Sequence, residues 1–391
     1  MKKIIEIPDD LMHKIVQKQY KISVEQNQIV LKNETEQVDI QNFSLHYVLV
    51  PSLLSLGISL MTFLLSGERQ IAFTGGRYLS VAGMSMLCAT IIGFITFIWV
   101  YAKQNISTKK RKLSRIRELG TIGLAYTLII FAVQALIWHI LGMTFVGVTL
   151  DPLTASFLSA LFSAIVFYFL ILFAVSVQIS HLIVLLFVTF IGGIFLSMAT
   201  NGQNGWWQYN FSFLGTGEAE NQWQFNFTMI FSALMLLTIT DYLFVEFQKS
   251  KFYNFKIKVV QAFYYVIALF IAGVGLFPAQ SWTMVFHNAS AYGIVLCIII
   301  LILLSKYLLP QLSKEFLSMS ALVFIGLVAS AVLFLKVHYL SLTVFEIIAF
   351  AISFSWLVMM INALQKMLHE SSVYYIKILE NEEIQIQKQG E

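Results

Sequence analysis

The chain has 391 residues, of which 58% are hydrophobic, 15% aromatic and only 12% charged, with a net charge of +4. An ordinary soluble domain carries ~25% charged residues, and no single soluble core hides this much apolar surface, so lipid is the expected solvent. Cys88 and Cys297 both lie in apolar runs, where thiols act as small hydrophobes; no disulfide, metal site, cofactor or nucleic-acid partner is expected.

Residues 1–43 read as a small α+β cytoplasmic headpiece. Pro8 followed by DDLMHKIVQKQ predicts a short helix with Asp9 and Asp10 in its first turn, where acids favour the helix dipole. KISVEQNQIVLK then alternates about a polar Gln-Asn-Gln centre, the pattern of a hairpin. With few large apolar residues, the segment is expected to lean on the membrane domain or on a cytoplasmic partner.

Ten windows follow, each meeting the ~20 mostly apolar residues needed to cross a bilayer. They run from Leu45 to Leu65, Leu79 to Tyr101, Thr121 to Leu141, Ala155 to Val177, His181 to Thr200, Trp223 to Val245, Ile257 to Phe277, Met284 to Leu304, Phe316 to Leu335 and Leu342 to Ile361. The first lies behind a long charged segment, so it serves as its own insertion signal and no cleavable signal peptide of the usual form is expected. With the N-terminus cytoplasmic, 22 of the 25 Lys and Arg fall on inside segments, and only Arg69, Arg77 and Lys336 lie outside. A missed or invented span would switch every later loop and destroy that bias.

The reading is an all-α polytopic protein of the plasma membrane, with ten transmembrane helices and both termini cytoplasmic. Residues 44–180 form a four-helix N-terminal membrane unit, 181–362 a six-helix C-terminal unit, and 363–391 a cytoplasmic tail, helical at first. The basic run Lys109 to Arg117 reads as a topology anchor or as a contact for anionic lipid, at ~1 kcal/mol per basic residue.

Ionisable side chains at mid-depth are costly and usually functional, and this chain has almost none. Asp241 comes ~27 Å along the sixth span, close to the inner surface. Gln134, the deepest strongly polar side chain of the third span, is expected to make an interhelical hydrogen bond.

Chemistry concentrates at the external ends. The stretch Asn201 to Phe227, NGQNGWWQYNFSFLGTGEAENQWQFNF, holds three of the seven tryptophans and no Lys or Arg. Its candidate binding residues are Trp206, Trp207, Tyr209, Ser212, Gly215, Thr216, Gly217, Glu218, Glu220 and Trp223. His287, Asn288 and Glu346 join them from later spans, while His139, Asp151, Lys336 and His338 sit at the same ends. Gly215 and Gly217 permit positive φ, Thr216 can cap, and the acids offset the dipole of the sixth span. The loop is expected to fold back so that residues 215–220 approach His287. No HxxxH or HExxH pair, G-x-S-x-G elbow, Walker loop or Rossmann glycine pattern is present.

From His181 onward the order of features resembles the Frag/DRAM/Sfk membrane family and a related bacterial membrane family of unknown function. The counterparts are Phe211-Ser212-Phe213-Leu214-Gly215-Thr216-Gly217, then Glu218 or Glu220 and Phe225, and later Gly275-Leu276-Phe277-Pro278 with His287, Asn288 and Ala289. The family's motif Asp is replaced by Leu214 or Gly215, and the first four spans have no counterpart. The resemblance implies a membrane-embedded protein without ATPase activity, linked to lipid or envelope homeostasis, and it carries over no catalytic residue.

Three functions follow. A binder or scaffold recognising a lipid or glycolipid headgroup is expected to show an aromatic groove at the outer face. A secondary transporter is expected to show a polar cavity at mid-depth. A lipid hydrolase or transferase is expected to bring two histidines and an acid within ligand distance.

Overall fold

The computed structural model describes residues 3–6, 20–25, 28–33, 45–75, 79–104, 112–248, 250, 252–371 and 377–380. Two compact units are present, Met1–Phe43 with His369–Glu391, and Ser44–Leu368.

In the first unit, β1 (Lys3–Glu6) pairs antiparallel with a strand from the far end of the chain, β6 (Lys377–Glu380), and β2 (Tyr20–Glu25) pairs with β3 (Gln28–Asn33). The second pair is the hairpin expected around Gln-Asn-Gln, closing at Glu25 opposite Gln28. The helix expected after Pro8 lies outside the described residues. The tail was expected to contribute only a helical start; instead its KILE segment pairs with KIIE, in a register that sets Lys3 opposite Glu380 and Glu6 opposite Lys377.

The second unit contains α1 (His46–Leu65), β4 (Ile71–Ala72), α2 (Val81–Gln104), α3 (Lys112–Thr144), β5 (Thr149–Leu150), α4 (Pro152–Val175), α5 (Ile179–Thr200), α6 (Gln222–Phe247), α7 (Phe255–Leu276), α8 (Met284–Leu308), α9 (Lys314–Leu335) and α10 (Leu342–Ser371). Among the described residues, these ten helices are long and apolar enough to cross a membrane, with spans of 20 to 30 residues. Each coincides with one expected window. The largest departures are α3, which begins at Lys112 rather than Thr121, and α10, which runs to Ser371 rather than Ile361. A helix satisfies its backbone internally, so it does not stop where the apolar stretch stops.

Helix α6 is the most enclosed, with 67% of its apolar window inside the fold, and it packs against α5, α7 and α3. Helices α1, α2 and α4 pack closely through small hydroxyl residues. Ser159 and Ser163 donate within α4 to Ala155 and Ser159 carbonyls at 2.9 and 2.8 Å, and each lies within 3.3 Å of an α2 carbonyl, Val81 or Ser85. Such residues let helix backbones approach without a polar debt.

At the end of the bundle where α2 meets α3, a polar cluster joins α2 and α3 to α6 and α7. Arg117 pairs with Asp241, whose other oxygen accepts from the Tyr265 hydroxyl at 2.7 Å. Tyr101 donates to Glu118 at 2.7 Å and shares a 2.9 Å hydrogen bond with Tyr242. Arg115 donates to the Ala102 carbonyl at 3.1 Å. Two members of the basic run therefore turn inward, while residues 105–111 lie outside the described residues. Gln134 departs from expectation: it is buried, yet its Nε2 makes no hydrogen bond among the described residues.

At the opposite end, β4 pairs with β5, tying the α1–α2 and α3–α4 connections together. Asp151 caps α4, accepting from the Leu153 and Thr154 amides at 3.0 Å. Hydrogen bonds from Thr154 hold its carboxyl below the ordinary carboxylate range. The flanks of the bundle are apolar: Leu53, Ile95, Phe195, Leu269, Leu303 and Ile325 are all strongly exposed. A surface of this kind is stable only against hydrocarbon, which makes the chain a polytopic membrane protein.

Candidate ligand-binding site

The α5–α6 connection is a packed loop stapled at its ends. Asn201 is buried; its Nδ2 donates to the Ser197 carbonyl at 2.8 Å and its Oδ1 accepts from the Asn221 amide at 3.1 Å. Between these points the chain makes three short 3-10 turns, Gly202–Asn204, Trp206–Gln208 and Phe211–Gly215, with Gly205 in the left-handed region at φ 59°. Two side chains from the first turns of α10 hold the loop. Thr343 donates to the Trp207 carbonyl at 3.0 Å, and Glu346 accepts from the Phe211 amide at 2.7 Å.

Beneath the loop lies a cavity of about 590 Å³, within the ~300–1,000 Å³ usual for small-molecule sites. Its polar lining gathers at the loop end, where Ser212, His287, Asn288 and Glu346 meet it. Along α10 the lining continues as Ala349, Phe350, Ser353, Phe354 and Leu357, the i, i+3, i+4, i+7 face of one helix. From Glu346 to Leu357 this face runs ~16 Å at 1.5 Å per residue, about half of a ~30 Å hydrocarbon core. Leu327, Val328 and Ala331 of α9, with Val295 and Ile299 of α8, form the facing wall.

The mouth is identified by lining residues that are also exposed: Asn288, Tyr292 and Leu296 on α8, and Val328 and Leu335 on α9. The cavity is only partly enclosed. Helix α9 packs on α8 over a short stretch only, and both helices line the cavity.

The structure brings Ser212, His287, Asn288 and Glu346 together at the cavity and leaves the other candidates outside its lining. Trp206 is buried against Trp207 and Phe211, a packing role within the loop. Trp207 and Tyr209 are exposed, with Tyr209 stacked on Phe213 at 4.9 Å, and Trp223 is exposed at the start of α6. Glu218 and Glu220 are exposed and precede the first turn of α6. Thr216 does not cap α6; its hydroxyl donates back to the Phe213 carbonyl at 2.8 Å.

Gly215 and Gly217 do not adopt positive φ. They are needed for close approach: a Cβ would fall 2.6 Å from Asn226 Oδ1 at Gly215, and 2.8 Å from Gln280 Nε2 at Gly217. Gly217 comes close to Gln280 of the α7–α8 connection, but none of residues 215–220 lines the cavity with His287; the loop residues that do are Phe211 and Ser212. His139, Asp151, Lys336 and His338 do not line it. Sequence reasoning missed Ser353 and Tyr292; neither stands out from an apolar helix until the helix's orientation is known.

His287 is buried, and its Nδ1 lies 2.8 Å from the Phe277 carbonyl. A carbonyl only accepts, so Nδ1 carries the proton, and in the neutral ring Nε2 is an acceptor. That Nε2 has no hydrogen-bond partner in the described chain, and neither does the buried Ser353 hydroxyl.

Among the described residues, ten membrane-spanning helices and a cavity with polar groups at one end define a polytopic membrane protein. Comparison with protein-family models, with curated proteins and with solved structures gives no match.

Proposed function

We propose that this protein binds a lipid or glycolipid at the external face of the plasma membrane, with the headgroup beneath the α5–α6 loop and the apolar part along α8, α9 and α10. The observation that carries this reading is the cavity's polarity: hydrogen-bonding groups at one end, then Phe, Leu, Ile and Val along the rest. An amphiphile matches both parts. The resemblance of the C-terminal six spans to the Frag/DRAM/Sfk membrane family belongs to the same proposal, and it points to lipid or envelope homeostasis.

A secondary transporter has less support, since the mid-depth lining is apolar apart from Ser353. So does a metal-assisted hydrolase or transferase, since no group of three His, Cys, Asp or Glu side chains among the described residues is placed to hold an ion.

The direct test is native mass spectrometry of the purified chain. Wild type is expected to retain lipid in stoichiometric amount, and Ala331→Trp, which fills the cavity from α9, is expected to lose most of it while remaining monodisperse with an unchanged helical spectrum. Equal retention by a well-folded Ala331→Trp would remove the cavity as the binding site.

The same proposal places both termini in the cytoplasm. It is supported by the Lys and Arg bias and by the pairing of β1 with β6, which sets the two ends of the chain on one side. Cys88 and Cys297 are buried, so an introduced thiol reports alone. Trp207→Cys is expected to react with a membrane-impermeant maleimide in intact cells; reaction only after lysis would invert the topology.

A further inference from the structure

Two residues that line the cavity, each at least nine-tenths buried, carry a polar atom without a partner in the described chain: His287 at Nε2 and Ser353 at Oγ. Buried polar groups are almost always satisfied, so each such exception calls for an explanation. Most buried serines in these helices donate to a carbonyl three or four residues back, as Ser159, Ser163, Ser305 and Ser320 do. Ser353 does not. Unpartnered hydroxyls also occur at Ser55, Ser59, Ser197 and Ser232, but none of these lines this cavity.

The two atoms differ in what they can take. In the neutral ring the Nδ1 contact fixes the tautomer that leaves His287 Nε2 as a hydrogen-bond acceptor, and it calls for a hydroxyl donor. Ser353 Oγ can donate, and it lies seven residues beyond Glu346, ~10 Å deeper along α10. A donor at that depth, among Phe350, Phe354 and Leu357, calls for an uncharged acceptor. No Lys or Arg lines the cavity, and its one ionisable acid is Glu346, a lining that opposes an anionic phosphate.

Building on the lipid-binding reading above, we infer that the occupant is an uncharged, hydroxyl-bearing acylglycerol, whether free diacylglycerol or one carrying a sugar. Its hydroxyl donates to His287 Nε2, an ester carbonyl accepts from Ser353 Oγ, and the acyl chain follows the aromatic face of α10. Anionic glycerophospholipid of the same chain length is the excluded class.

The test uses the delipidated full-length protein and three probes with identical chains: dioleoylglycerol, glucosyl-dioleoylglycerol and dioleoyl phosphatidylglycerol, with retention read by native mass spectrometry. Wild type is expected to retain a neutral probe about tenfold better than phosphatidylglycerol, and Ser353→Ala and His287→Phe are each expected to lower neutral retention about three- to tenfold, the usual worth of one hydrogen bond. Ser353→Ala removes only an unpartnered oxygen and so tests the contact without threatening the fold. Retention of the sugar-bearing probe over dioleoylglycerol, or the reverse, identifies which neutral lipid is taken. Equal or better retention of phosphatidylglycerol, or neutral retention indifferent to both substitutions, overturns the headgroup assignment while leaving a lipid site in place. Retention of no probe, with no response to Ala331→Trp, overturns the lipid-binding reading itself.

Discussion

Gly275→Val is expected to lower the stability of the purified protein by ~3 kcal/mol, the upper part of the range for overpacking a tight contact. The most extensive helix pair in the bundle is α6 with α7, and Gly275 sits where they touch. A Cβ there would lie 2.7 Å from the Asn226 backbone oxygen, 2.9 Å from Met229 Cβ and 3.0 Å from Ile230 Cγ1. A backbone oxygen inside a helix cannot rotate away, so the helices themselves must separate. Gly293 is also crowded, but by the Phe270 ring, which can turn, so Gly293→Ala is expected to cost less than Gly275→Ala. At Gly192 nothing lies within 4 Å, and Gly192→Ala is expected to be neutral or to stabilise by up to ~1 kcal/mol through helix propensity. Because Met229 and Val274 line the cavity, separating α6 from α7 is also expected to reduce lipid retention. Thermal unfolding in detergent, compared across these variants, checks the ordering; a Gly275→Val midpoint equal to that of Gly192→Ala would contradict the packing argument.

The spans were legible in the sequence because the bilayer imposes a length and a polarity on every crossing, and both can be read residue by residue. The headpiece hairpin was legible because alternation about Gln-Asn-Gln is a local signal. Pairing of β1 with β6 went unread, although KIIE and KILE are nearly the same tetrapeptide and pair with opposite charges facing each other when antiparallel. Only a comparison of the two ends of the chain reveals that match.

The site was legible in depth and not in direction. Ser212, His287, Asn288 and Glu346 were marked as polar residues at the loop end, and all four line the cavity. Glu218, Glu220 and Trp223 carried the same signal, yet they are exposed. Which way a loop residue faces depends on contacts such as Thr343 with Trp207 and Glu346 with Phe211, separated by more than a hundred positions in sequence. The apolar lining was invisible for a related reason: a leucine facing lipid and a leucine facing a cavity are the same residue in the same hydrocarbon.

Trp356→Ala is expected to be the most damaging single substitution in the C-terminal helices, costing ~3–5 kcal/mol as a large-to-small change at a fully buried site. The indole has no exposed surface. Its Nε1 donates at 2.9 Å to Ser320 Oγ, which in turn donates at 2.9 Å to the Phe316 carbonyl, and the Phe316 ring packs beside it. This chain of contacts ties α10 to α9. Helix α9 touches α8 over a short stretch only, and it is joined to α10 by this tie and by the stacked Phe334 and Phe345 rings at 4.8 Å. Trp356→Phe retains most of the ring volume and loses the hydrogen bond, while Ser320 keeps its own acceptor, so it is expected to cost only ~1 kcal/mol for that bond plus the smaller void. If α9 is held this way, its release has a functional consequence, because Leu327, Val328 and Ala331 form one wall of the cavity and Leu357, the residue after Trp356, lines its deep end. Trp356→Ala is therefore expected to lose bound lipid and to expose Lys314, at the start of α9, to trypsin sooner than wild type. A Trp356→Ala protein that unfolds within ~0.5 kcal/mol of wild type, the range of an inconsequential surface change, with Lys314 no more sensitive, would show that α9 is held by something other than this indole.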